Sequence, residues 1–217
     1  MKMLRTRILG SSYVGLFCIT NDTLCFVPKG IEERAFKEIE KTLDVKVVKV
    51  NLYDSSLLAV FGKMNNSHMF LPSHLKSKEI EAIEKEIKVK LINTESALGN
   101  LIAVNDNGAV VSNILSDEIV DEIAKSGIEI AHTNIAQTDV VGSSLLATST
   151  GFVMNPNASE EEIKKVQQAL NVKGGFSTAN TGDVFISNSV IANKNGAITG
   201  DLTTGHELNR IDEALEG

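Results

Sequence analysis

Leu101-Ile102-Ala103-Val104, Asn105-Asp106-Asn107-Gly108, Ala109-Val110-Val111 is a run of four apolar residues, a turn, and three more apolar residues. Asn and Gly reach positive φ at little cost, so this spacing reads as a β-hairpin. The same phrase recurs on both sides of it. Upstream it is Leu57 to Phe61, a turn at Asn65-Asn66, then Met69-Phe70-Leu71-Pro72; before that, Leu16 to Ile19, a turn over Thr20 to Thr23, then Leu24 to Pro28. Downstream it is Leu145 to Ala147, Ser149-Thr150-Gly151, then Phe152 to Asn155; and Val190 to Ala192, Asn193 to Gly196, then Ala197 to Gly200. The phrases stop at positions 28, 72, 113, 155 and 200, a period of about 43 residues.

A helix is expected after each hairpin. Apolar residues recur at helical spacing at Ile80, Ile83, Ile87, at Ile163, Val166, Leu170, and at Leu208, Ile211, Leu215. Ile31, Ala35, Ile39, Leu43 and Ile119, Val120, Ile123 form looser stripes. Ser159 with Glu162 and Thr204 with Glu207 have capping-box spacing, and Ser77 and Ser116 occupy the same place. An alternating strand follows each helix: Val45-Lys46-Val47, Lys88 to Leu91, Ile128-Glu129-Ile130, and Val172-Lys173 running into Gly174-Gly175, where the glycines suggest a bulge. The fifth helix has no strand after it, whereas Leu4 to Ile8 form a strand with no preceding helix. Residues 185–217 together with 1–11 make one period. The expected fold is therefore α+β: five hairpin–helix–strand units closed into a ring as one domain over 1–217, the N-terminal strand completing the last unit. Closure leaves no sheet edge open.

Composition narrows the function. With 217 residues, 42% apolar and 23% charged, the chain can bury a core without staples. A net charge of −7 without a Lys/Arg block argues against binding free nucleic acid. No apolar run matches a membrane span, and no signal peptide is evident at the start. The two cysteines, Cys18 and Cys25, are too few for a secreted disulfide scaffold, so a cytoplasmic location is expected. They are expected to face each other across the first hairpin as small buried hydrophobes. His68, His74, His132 and His206 show no ligand spacing, and no phosphate-binding glycine motif occurs, so neither metal nor cofactor is expected.

A ring of five such units is the pentein architecture, and within it the sequence resembles the archaeal-type translation initiation factor 6 family. The resemblance rests on Thr203-Thr204-Gly205-His206-Glu207-Leu208-Asn209-Arg210-Ile211, on Ala97-Leu98-Gly99-Asn100, on Val140 to Ser143 and on the Asn193 to Gly196 turn. His206 and Ser11-Ser12 stand where the family commonly has proline. The resemblance implies a non-enzymatic, monomeric factor. Such a factor binds the large ribosomal subunit on its intersubunit face, mainly through a basic ribosomal protein near the sarcin–ricin region. It blocks small-subunit joining and takes part in large-subunit maturation. Pentein enzymes acting on guanidino groups, and a ring-shaped scaffold without a ribosome role, are the alternatives. The former carry a nucleophilic cysteine late in the chain, where this sequence has none.

The loops before each hairpin contain Ser12-Tyr13, Ser55-Ser56, Gly99-Asn100, Gly142-Ser143-Ser144 and Ser187-Asn188-Ser189. Ser and Asn commonly just solvate turns. As a set at one end of a ring axis they form the expected ribosome-binding face: Tyr13, Ser56, Gly99, Asn100, Ser144 and Asn188, with Asn65 on a neighbouring unit. Asn100 leads because its segment resembles the family's contact region, and Tyr13 is the aromatic anchor.

Overall fold

The computed structural model describes residues 1–216. Their fifteen strands form five three-stranded sheets, ordered β2-β3-β4, β5-β6-β7, β8-β9-β10, β11-β12-β13 and β14-β15-β1. The first unit has β2 (Ile19–Thr20), β3 (Leu24–Pro28), a helix Glu33–Leu43 and β4 (Lys46–Val50). Its hairpin is antiparallel and the strand after the helix joins it in parallel. The second unit repeats this with β5 (Lys63–Met64), β6 (His68–Pro72), the helix Ser77–Glu84 and β7 (Lys88–Ile92). The third has β8 (Ile102–Val104), β9 (Gly108–Val111), the helix Asp117–Ala124 and β10 (Glu129–His132). The fourth has β11 (Leu145–Ala147), β12 (Phe152–Met154), the helix Glu160–Leu170 and β13 (Gly174–Phe176). The fifth has β14 (Val190–Asn193), β15 (Gly196–Gly200) and the helix Gly205–Glu216. Its third strand is β1 (Lys2–Thr6), which pairs in parallel with Gly196 to Gly200.

Five apolar clusters sit between units, not within them. Ile191 and Ile198 of the fifth unit share a cluster with Cys25, Ile39 and Leu43 of the first. Phe26 of the first packs with Met69, Leu71 and Ile83 of the second, and Phe70 of the second packs with Val111 and Ile123 of the third. Val110 of the third packs with Phe152 and Val166 of the fourth, and Val153 of the fourth with Ile198's neighbour Ala197 and with Ile211 and Leu215 of the fifth. Each helix therefore buries its apolar stripe against the preceding unit, the first helix against the fifth unit, and the ring is the arrangement that covers all five.

Four local expectations change. Leu16 and Leu58–Phe61 are not strand. Val14–Leu16 is a 3-10 turn and Leu58–Phe61 a single helical turn, each followed by only two strand residues. Four apolar residues fit either state, and here packing against the neighbouring turns selects the helical one. Ser77 is the first residue of its helix rather than its cap, and Ser116 caps without a side-chain bond; Ser159 and Glu162 form the full capping box. The hairpin register puts Thr20, not Cys18, opposite Cys25, so the two thiols are diagonal neighbours. Gly174-Gly175 is no bulge: it pairs regularly with Phe152-Val153. A Cβ at Gly174 would lie 2.5 Å from Cγ of Phe152, so glycine makes room for that buried ring.

Candidate functional site

The ring has two unlike ends. At one end the five hairpin turns meet. Each turn opens on a residue whose side-chain oxygen accepts the backbone N–H groups two and three residues on. Asn21 takes Thr23 and Leu24, Asn65 takes Ser67 and His68, Asn105 takes Asn107 and Gly108, and Asn193 takes Asn195 and Gly196. Thr148 does the same with its hydroxyl for Thr150 and Gly151. The amide nitrogens then reach sideways to the equivalent carbonyl of the next unit. Asn193 donates to Asn21 (3.0 Å), Asn21 to Asn65 (3.0 Å), Asn65 to Asn105 (3.0 Å) and Asn105 to Thr148 (3.1 Å). Threonine has no amide with which to continue, so the chain of bonds stops there. All five residues are buried. A second layer lies over them. Asn66 donates to both Asp22 and Asp106, and Ser149 reaches Asp22 at 2.8 Å from a unit that is not its neighbour.

At the other end five short helical turns form a closed circle: Val14–Leu16, Leu58–Phe61, Leu98–Leu101, Val141–Ser144 and Ile186–Ser189. The residue before each has the same backbone shape, φ between −71° and −86° and ψ between 60° and 74°. These residues are Tyr13, Leu57, Ala97, Val140 and Phe185. All are apolar or aromatic and at least partly exposed, Tyr13 at 46%. The second residue of each turn is small: Gly15, Ala59, Gly99, Gly142, Ser187. The reason is contact between turns. A Cβ on Gly99 would lie 2.0 Å from the Ala59 carbonyl oxygen, on Gly142 2.1 Å from that of Gly99, and on Gly15 2.0 Å from that of Ser187. The third residues, Leu16, Val60, Asn100, Ser143 and Asn188, surround the axis; all but Ser143 are partly exposed.

This divides the sequence-based candidates. Tyr13, Ser56, Asn100 and Asn188 share the helical end and retain solvent exposure. The Asn100 side chain makes one long bond, accepting from Ser143 Oγ at 3.4 Å. Gly99 and Ser144 belong to the same end but are buried, Gly99 as a packing point and Ser144 beside Thr138 Oγ1. Asn65 is at the opposite end and buried in the amide chain, because it lies in the hairpin turn that β5 separates from Leu58–Phe61. Sequence reading missed the amide chain, although Asn21, Asn65, Asn105 and Asn193 recur in phase with the repeat. It also missed Lys63, whose Nζ donates to Ser187 Oγ at 2.9 Å.

Cys18 and Cys25 are free and buried. Burial, then the neighbouring Cys25, pushes the Cys18 thiol well above its usual range, away from nucleophilic thiolate. Among the described residues no three His, Cys, Asp or Glu side chains gather to hold a metal ion, and no helix is long and apolar enough to cross a membrane.

Five units closed about an axis, one end bound up in hydrogen bonds and the other carrying a circle of half-exposed side chains, define a ring protein of pentein architecture. The chain belongs to the eIF-6 family, whose model matches residues 3–214. Translation initiation factor 6 of Pyrococcus abyssi is 32% identical over 214 residues, covering 94% of each chain. That of Thermoplasma acidophilum is 27% identical over 212 residues, covering 97% of this chain and 98% of its own. Among solved structures, the substrate-bound N-terminal domain of ArgZ, a cyanobacterial arginine dihydrolase, superposes with a TM-score of 0.44 at 18% identity. That superposition covers 54% of this chain and 48% of the other. The family is one of translation initiation factors.

Proposed function

We propose that this protein binds the large ribosomal subunit through the helical end of its ring and, by occupying the intersubunit face, blocks joining of the small subunit. The whole chain acts as one rigid, monomeric, cytoplasmic domain, and its role is steric, without catalysis. Family membership supports the translation role. The circle of Tyr13, Leu57, Ala97, Val140 and Phe185 carries the choice of face: five apolar side chains left partly uncovered around one end are what a partner's surface would bury. Inside that circle Asn100 and Asn188 keep polar atoms available, with Asn100 the central contact. A net charge of −7 favours a basic ribosomal protein, beside the sarcin–ricin region, over bare RNA. The same bound state would place the factor on maturing large subunits.

The test is sedimentation with purified archaeal subunits on a sucrose gradient. The wild-type chain is expected with large subunits and to lower the fraction of joined ribosomes. Asn100→Arg and Phe185→Asp are expected to lose both effects, whereas Glu84→Lys, on an outer helix, keeps them. Binding by both face variants removes this end from consideration. Failure of the wild-type chain to sediment with large subunits favours a ring scaffold of another kind.

A further inference from the structure

The axis of the ring contains an ammonium group without a counter-charge. Lys63 is on β5, in the second unit, and its Nζ crosses the axis to Ser187 Oγ in the fifth, a unit that is not its neighbour in the ring. It does so inside an axial void of about 40 Å³, lined by Gly15, Cys18, Met64, Leu145, Ser187 and Val190 among others. No Asp or Glu lines that void. Cys18 is the only other titratable group on its wall, and burial keeps its thiol neutral. A lysine ammonium has three N–H donors, and one is used here. Burial alone pulls Lys63 down to about 8, with no opposing charge to restore it. A charge in such surroundings calls for a partner or gives up its proton.

We propose that the axial void beside Lys63 is a binding site for a small monovalent anion of the halide class, held by Lys63 Nζ and Ser187 Oγ. Size sets the class. A cavity needs roughly 10–15 Å³ to hold one water, so about 40 Å³ accepts a monoatomic anion with a water or two and is too small for a nucleotide. The void is not sealed from solvent, so an anion has a way in. The bound anion would bridge the second and fifth units, fixing the axis behind the helical circle. The site is independent of what that circle binds.

The experiment follows the Lys63 side chain by NMR, with lysine labelled at Cε, in sodium chloride and in sodium gluconate at equal ionic strength; gluconate is too large for the void. Chloride is expected to raise the Lys63 pKa by about one unit, to raise Tm relative to gluconate, and to leave the other lysines indifferent to the choice of salt. Ser187→Ala should shrink the chloride shift while Lys63 still titrates. Lys63→Met should abolish the chloride dependence of Tm. A crystal grown in sodium bromide is expected to show anomalous density in contact with Nζ. If Lys63 titrates identically in both salts and bromide is absent from the void, the ammonium is neutralised by proton loss and the proposal is wrong. Should Lys63→Met fail to fold, the wild-type titration and the bromide crystal decide the matter.

Discussion

Asn105 and Asn100 are five residues apart and do opposite things. Asn105, at the turn end, is buried and saturated. Its amide donates to Thr148 O and Leu170 O, and its side-chain oxygen accepts from Asn107 and Gly108. Asn100, at the helical end, is half-exposed and makes one bond of 3.4 Å. The same side chain fastens the ring in one place and is left available in the other. Each unit delivers one residue to each end, separated by an inner strand of two to four residues. Side-chain hydrogen bonding is thus concentrated at the turn end, and under the proposed function contact falls to the helical end. Its third-position residues differ between units, running Leu, Val, Asn, Ser, Asn, whereas the turn end keeps Asn in four units of five.

The sharpest way to break that division is to damage the helical end where it is structural. Gly142→Val would set a branched side chain against backbone, with Cβ 2.1 Å from Gly99 O and 2.4 Å from Ile102 O. Both carbonyls belong to the neighbouring turn, and backbone cannot yield as a flexible side chain would. The expected loss is about 3 kcal/mol or more, read as a collapse of Tm or failure to obtain folded protein. Next in size is Asn105→Ala. It strips the buried Gly108 N–H and the Asn107 N–H of their acceptor and Thr148 O and Leu170 O of the amide that donates to them, for an expected loss of about 2 kcal/mol by urea denaturation. Asn105→Asp tests the same link differently: it keeps the acceptor for Asn107 and Gly108 but turns a buried carboxylate oxygen toward the Thr148 and Leu170 carbonyls, so above the carboxylate range it should destabilise at least as much as alanine.

How far the sequence reveals this follows from the range of each interaction. The period, the five helices and the two capping boxes are local patterns, and the apolar stripes fall on the helices except at Ile31 and Ile87, which lie just outside them. The closing of β1 against β15 was legible too, because an unpaired strand at one end and a missing one at the other are complementary. The helical turns were not. An apolar run of four is compatible with strand or helix, and a local pattern does not contain the contacts with neighbouring turns that accompany the helical state here. Asn65 reads as a turn residue, but turn composition does not say which end of the axis the turn occupies, and it lies opposite the helical circle. Lys63 was invisible for a simpler reason: its one partner is 124 residues away.

A smaller effect, dependent on pH, comes from the fifth helix. Glu207 is buried at its N-terminus and accepts from Thr204 N, Thr178 Oγ1 and Gly182 N. Burial pushes its carboxyl up, but those donors outweigh burial and hold it below the usual 4.5. A carboxylate with a depressed folded pKa contributes stability that is complete above the unfolded value and is lost as pH falls through the folded one. Glu207→Gln should therefore flatten the acid limb of the Tm–pH curve below about pH 4.5 and lower Tm above it. An unchanged acid limb would mean that the clamp on the Thr181-Gly182 turn contributes little to the ring.

The smallest expected change is the most informative about the division between ends. Asn100→Ala removes one long bond from a partly exposed side chain, and the buried Ser143 hydroxyl loses its acceptor. Because that bond is single and long, the expected loss of stability is about 1 kcal/mol or less, against about 2 kcal/mol for Asn105→Ala. If binding to large subunits nevertheless drops sharply in Asn100→Ala while urea midpoints match, the helical end is an interface built onto a frame that the turn end holds together. If stability falls as far as in Asn105→Ala, the two asparagines do the same job and the contrast between the ends disappears. The measurement separates these because the substitution is identical and only the end of the axis differs.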